Sequence, residues 1–130
     1  MNRTIIRFLG LSALLFCNCL FPAMAAKIGI AMPNLVVPRW QTDGGYLKKA
    51  LEQSGHTVDL VFADNTVETQ INNLKQMIGN GCQLLVVVPV DGKSLTEVLQ
   101  QAKNKNIKVM VVKHMNCLCT QHIYTYIEDG

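Results

Sequence analysis

Stretches of strand length alternate with helical apolar stripes along most of this chain, and that alternation restricts the fold more than any other feature. Lys27 to Met32 reads as a short apolar strand closed by Pro33-Asn34, and Trp40 to Gln53 carries Leu47, Ala50 and Leu51 at helical spacing before Ser54-Gly55 ends it. Thr57 to Phe62 is a second strand, with apolar side chains at Val58, Leu60 and Phe62. Asn65 is placed to cap a helix with Glu68 three residues on; Val67, Ile71, Leu74 and Ile78 stripe that helix, and Gly79-Asn80-Gly81 stops it. Gln83 to Val88 is an almost continuous apolar run, the pattern of a strand covered on both faces and so of the centre of a sheet. After Pro89-Val90-Asp91-Gly92, Ser94 and Glu97 repeat the capping pattern, Leu95, Val98, Leu99 and Ala102 form a buried stripe, and Ile107 to Val112 is a fourth strand.

The order β-α-β-α-β-α-β predicts an α/β fold: a Rossmann-like three-layer lobe whose parallel sheet of four to five strands carries helices on both faces. His122 to Ile127 is the candidate fifth strand. The five cysteines, Cys17, Cys19, Cys82, Cys117 and Cys119, are odd in number and unevenly spread, so no disulfide framework holds this fold.

The segment before Lys27 reads as an export signal. Arg3 and Arg7 supply positive charge, Phe8 to Leu20 form a mostly apolar run, and Ala23-Met24-Ala25 follows the breaker Pro22 as a small-x-small cleavage pattern. The run is shorter than the roughly 20 residues a membrane-crossing helix needs. Neither Cys17 nor Cys19 follows the Leu-small-small tripeptide of a lipidated cysteine. The expected organisation is a signal over 1–25, a lobe over 26–112 and a diverged tail over 113–130. The expected product is periplasmic, with no membrane-embedded part after cleavage.

Removing Arg3 and Arg7 lowers Lys plus Arg from 12 to 10 against 9 Asp plus Glu, so the formal charge falls from +3 to +1. The remaining lysines are scattered, with only Lys48-Lys49 adjacent, which argues against a nucleic-acid partner.

In open α/β sheets ligands bind beyond the carboxyl ends of the strands, here the loops at 33–39, 63–66, 89–93 and from Lys113 onward. The first loop reads Met-Pro-Asn-Leu-Val-Val-Pro-Arg-Trp and lacks the glycine-rich turn of a dinucleotide site, so no cofactor is expected. Arg39-Trp40 is the most informative pair on this rim. A planar guanidinium donates to two neighbouring hydroxyls, and an indole face packs on the apolar C–H face of a sugar ring. The plainer alternative has Trp40 anchoring the first helix and Arg39 solvated. Asp91 either accepts hydrogen bonds from hydroxyls or caps the turn beside Gly92, and Asn34 and Asn65 bring donors and acceptors to the same rim. There is no serine in a strand-turn-helix elbow, no close carboxylate pair on the rim, and no rim histidine except His114, so an enzyme is not the expected reading. A rival chemistry lies in the tail, where His114, Cys117, Cys119 and His122 form a His-x2-Cys-x-Cys-x2-His set of soft-metal ligands; its Cys-x-Cys spacing is tighter than usual for zinc. It would make the chain an exported α/β module with thiol or metal chemistry.

Lys27-Ile28-Gly29-Ile30-Ala31-Met32-Pro33 after the export segment, then Arg39-Trp40 with Asp43-Gly44, resembles the start of a type I periplasmic sugar-binding protein of the xylose-binding and multiple-monosaccharide-binding branch. Glu68-Thr69-Gln70 with Ile71 to Ile78 is similar to that family's second helix, Leu85 to Pro89 with Asp91-Gly92 to its third strand and turn, and Ala102 to Val109 to its approach to the fourth strand. The resemblance covers Lys27 to Val109. It implies a receptor that binds a monosaccharide, pentose or hexose, between two Rossmann-like lobes and delivers it to the permease of an ATP-driven importer in the inner membrane. It also implies that Arg39 hydrogen-bonds sugar hydroxyls and that Trp40 forms part of the cleft wall. Where the family's fourth strand ends in a Tyr-Asp-Arg-like motif whose Asp and Arg grip the sugar, this chain has Val112-Lys113-His114. Lys113 and His114 are therefore the contact candidates there, with a cation in place of a carboxylate. Tyr124 to Gly130 loosely resembles a later strand that ends in Phe-Asp-Asn, with Asp129 in place. The sequence reaches Gly130 before the hinge and second lobe of such receptors, so a truncated receptor that binds sugar weakly or not at all is the expectation.

Overall fold

The structure, a computed structural model, describes residues 24–112. Its elements follow the expected alternation: β1 (Lys27–Met32), α1 (Pro38–Gln53), β2 (Thr57–Phe62), α2 (Val67–Gly79), β3 (Leu84–Val87), α3 (Thr96–Asn104) and β4 (Lys108–Val111). All strand pairs are parallel and the sheet order is β2-β1-β3-β4. The candidate fifth strand at His122 to Ile127 lies outside the described residues.

Strand alternation divides the core into two layers, one on each side of the sheet. Ile28, Ile30 and Met32 of β1 join Val58, Val86 and Val88 on the face where Trp40, Leu47 and Leu51 of α1 pack. Ala31, Leu85 and Val87 point the other way, against Leu74, Met77 and Ile78 of α2 and Val98 and Ala102 of α3. Both β1 and β3 are interior strands covered on both sides, which accounts for their unbroken apolar character. Two glycines allow the helices to sit this close. A Cβ on Gly29 would lie 2.6 Å from Met77 Sδ, and one on Gly44 would lie 3.1 Å from Leu60 Cδ1.

The helix starts depart from the capping patterns in the sequence. Helix α2 begins at Val67 with Thr66 at its N-cap and no side-chain cap bond, because Asn65 stands in the left-handed region (φ 58°) and its side-chain oxygen accepts a bond from Asn34 instead. Helix α3 begins at Thr96 after Leu95, again without a side-chain cap, because Ser94 is held by Asp91 in the turn before it. Helix α1 opens at Pro38, earlier than the apolar spacing suggested; a proline in the first turn gives up an amide that has no helical partner there.

Candidate functional site

Because every strand is parallel, the loops after β1, β2 and β3 and the C-terminal end of β4 share one rim of the sheet. The chain leaves β1 toward β2 on one side and comes back past it to β3 on the other, so the strand order switches direction between β1 and β3. Ligands of open α/β sheets sit outside such a switch point. The loop after β1 carries Asn34 and leads into Arg39 and Trp40 at the start of α1, and the loop after β3 carries Asp91.

Asn34 is 4% exposed and both ends of its amide are engaged. Its Nδ2 donates to Asn65 Oδ1 at 2.7 Å, and its Oδ1 accepts the Val37 backbone N–H at 2.9 Å. The Asn65 N–H in turn donates to the Pro33 carbonyl at 2.7 Å. Asp64 and Asn65 both have positive φ, 49° and 58°, a conformation that short amide and carboxylate side chains tolerate better than other non-glycine residues. Gln41 Nε2 adds a bond to the Leu35 carbonyl at 2.6 Å. The loop so fastened presents Leu35, Val36 and Val37 to solvent, with Val36 84% exposed.

Arg39 and Trp40 occupy the first turn of α1. The Arg39 guanidinium lies 5.8 Å from the Trp40 ring centroid, within cation–π range, and its Nε donates to Asp43 Oδ2 at 3.2 Å one helical turn on. Trp40 is half-buried and packs against the α1-side core, so it anchors the helix.

Asp91 is exposed, and its Oδ2 accepts the Ser94 N–H at 3.0 Å together with the Ser94 hydroxyl. Those two bonds, the hydroxyl's first, hold the Asp91 carboxyl below the usual aspartate range. The turn-capping role expected of Asp91 is therefore present. Among the described residues no hydrogen bond or ion pair links Asp91 to Arg39. Lys113 and His114 lie outside the described residues, as do Cys117, Cys119 and His122 of the soft-metal set. The described residues hold no group of three or more His, Cys, Asp or Glu side chains able to bind a metal. Cys82, just before β3, is buried and unpaired, and burial pushes its thiol upward, with Asp59 adding to the shift and Lys27 opposing it.

A hollow of about 390 Å³ between the C-terminal ends of α2 and α3, lined by Lys75, Ile78 and Lys105 among others, lies at the opposite end of the sheet from the rim. It is open and shares no residue with the loops above.

Sequence reasoning missed Gln70. Its side chain is fully buried on α2, where Nε2 donates to the Val88 carbonyl at 2.9 Å and Oε1 accepts the Val90 N–H at 2.9 Å. The signal was present: Gln70 falls between Val67 and Leu74 on the apolar stripe, and a polar side chain on a buried stripe needs a partner.

The comparisons agree with this fold. Residues 28–117 match the family described as "Periplasmic binding protein domain". The chain is 33% identical to the multiple sugar-binding periplasmic receptor ChvE of Rhizobium radiobacter, over 83% of this chain and 31% of the receptor. It is 35% identical to the D-xylose-binding periplasmic protein of Escherichia coli, over 80% of this chain and 32% of that protein. A solute-binding protein of an ABC transporter from Clostridium phytofermentans, solved with bound β-D-glucose, superposes with a TM-score of 0.64 at 40% identity, over 71% of this chain and 30% of that one. The chain thus spans about a third of the length of these relatives. With a parallel lobe of matching topology and a sequence match through most of its length, this chain belongs to the periplasmic binding protein domain family.

Proposed function

We propose that the chain is the sugar-recognition lobe of a periplasmic solute receptor that serves an ATP-driven importer, with a xylose-type monosaccharide as its ligand. The observation that carries this reading is the position of Arg39 and Trp40, side by side in the first turn of α1 where the loop after β1 meets the switch point. A guanidinium beside an indole offers donors to adjacent hydroxyls and an apolar wall to the ring. Support also comes from the 40% identity to a receptor solved with glucose. In this reading 1–25 direct export to the periplasm, 26–112 form the lobe, and 113–130 are a diverged tail in which Lys113 and His114 join the sugar contacts. Asn34 shapes the wall, and Asp91 accepts from sugar hydroxyls while capping its turn. Partners are the monosaccharide and the inner-membrane permease, and the role is reception, not catalysis.

Taken by itself, the lobe over 26–112 provides one wall of a cleft, so a sugar on it alone keeps a face in water and is held weakly. The test is tryptophan fluorescence of the exported chain during titration with xylose, glucose, galactose and arabinose. Trp40 is the only tryptophan, so the signal reports on the proposed wall directly. A saturable change at high sugar concentration is expected. A flat signal from a chain shown by circular dichroism to be folded overturns the proposal, and micromolar or tighter binding by calorimetry overturns the one-wall argument.

A further inference from the structure

A glutamine with no exposed surface stands behind the loop that follows β3. Its location is costly unless both ends of the amide are satisfied, since an unpaired buried polar group loses roughly 1–3 kcal/mol of hydration. Here both ends are used on one short piece of backbone. Nε2 of Gln70 holds the Val88 carbonyl at the end of the sheet, and Oε1 holds the Val90 N–H two residues later. The Val88 N–H itself is still bonded to the Ala31 carbonyl of β1, so the last sheet bond and the first loop bond meet at this residue. Past Val90 the chain reaches Asp91, whose carboxylate is next fixed by Ser94.

We propose that Gln70 is a positioning residue for the ligand rim: its carboxamide takes over from the sheet where β3 ends and fixes the loop that presents Asp91. The side chain does not itself reach the rim surface, because it is fully buried. Its effect passes through the backbone of Val88 and Val90. A bidentate carboxamide suits this task because donor and acceptor lie on one rigid plane, so the Val88 carbonyl and the Val90 amide are set relative to each other. Leucine carries a branched apolar end, one methylene shorter, and has neither function. Glutamate keeps the acceptor for Val90 but presents an oxygen to the Val88 carbonyl, so it restores half the clamp.

This inference rests on the proposed sugar-binding role only where it concerns the ligand, and the experiment separates the two. Amide hydrogen exchange of the full chain is compared for the wild type, Gln70→Leu, Gln70→Glu and a core control, Val98→Ala, which loosens the α3 side without touching the clamp. In Gln70→Leu the Val90 amide is expected to exchange at least tenfold faster relative to the β1 amides, with Gln70→Glu recovering part of that protection. In Val98→Ala the Val90 and β1 amides are expected to change in step. Exchange at Val90 that changes only in step with β1 in Gln70→Leu overturns the positioning role. In the sugar titration, Gln70→Leu is expected to weaken binding about tenfold, and an unchanged affinity overturns the link to the ligand rim. A wild-type chain without sugar response would instead overturn the proposed function, and the exchange result would still decide whether Gln70 fixes the loop.

Discussion

The side-chain amide of Asn34 donates to that of Asn65 at 2.7 Å, joining the loop after β1 to the loop after β2 across the rim. The same Asn34 side chain also accepts the Val37 N–H, so one buried residue fixes both the shape of its own loop and the distance to the next. Asn65 can meet it because it adopts a left-handed backbone.

That relationship gives a first prediction. Asn34→Leu leaves the Val37 N–H and the Asn65 side chain without their partner, and is expected to cost about 1–3 kcal/mol in urea unfolding. A double-mutant cycle with Asn65→Gly is expected to return a coupling energy of at least 0.5 kcal/mol, on the scale of about 0.5–3 kcal/mol seen for residues in one hydrogen-bond network. Additive losses would mean that the pair does not join the loops.

Asp91 and Ser94 give a prediction in pH. The carboxyl is held below its unfolded value, so the turn is stabilised above the ordinary aspartate range of about 3.9 and loses that stabilisation as pH falls through the lowered folded value. Carboxyl NMR titration of Ser94→Ala is expected to move Asp91 back up toward the ordinary value. An unchanged titration would show that the Ser94 hydroxyl is not the principal cause.

Gly29 and Gly45 are expected to respond in opposite directions to alanine. A Cβ at Gly29 would press on Met77 Sδ at 2.6 Å and Leu85 Cδ2 at 2.9 Å inside the packed core, so Gly29→Ala is expected to destabilise by about 1–3 kcal/mol. A Cβ at Gly45, in the exposed middle of α1, meets nothing within 4 Å, so Gly45→Ala is expected to stabilise by about 0.5–1 kcal/mol. Urea midpoints that shift the same way in both variants would contradict this packing.

Arg39→Ala separates stability from recognition. The Arg39–Asp43 pair is solvent-exposed and spans one helical turn, an arrangement worth about 0.3–0.5 kcal/mol, so the unfolding midpoint is expected to stay within error of the wild type. The sugar-dependent fluorescence change is expected to fall at least tenfold in affinity. An equal response in the variant would place the sugar contacts elsewhere.

Much of the fold was legible because two periodicities are physically distinct. Lys27–Met32 and Thr57–Phe62 could be bounded from apolar pattern together with turn residues, Pro33-Asn34 after the first and Ser54-Gly55 before the second. The helix starts were less legible for a specific reason. Asparagine and serine satisfy local amides in several ways, and only the tertiary partner decides which: Asn65 meets Asn34, and Ser94 meets Asp91, so neither caps the helix that follows it. Arg39 and Trp40 were visible as a pair because their residue types are rare in this chain. Gln70 was marked only as a polar residue on a buried stripe; its partners are backbone groups 18 and 20 positions away, and no side-chain pattern identifies a backbone partner.

The apolar lip of Leu35, Val36 and Val37 has a thermodynamic meaning. Side-chain amides from Asn34 and Gln41 fasten this loop from within, so the three side chains cannot fold inward to hide from water. The ordering entropy of this stretch of backbone is lost when the lobe folds, and a molecule arriving at the rim meets an apolar surface already held out to it, from which water is released.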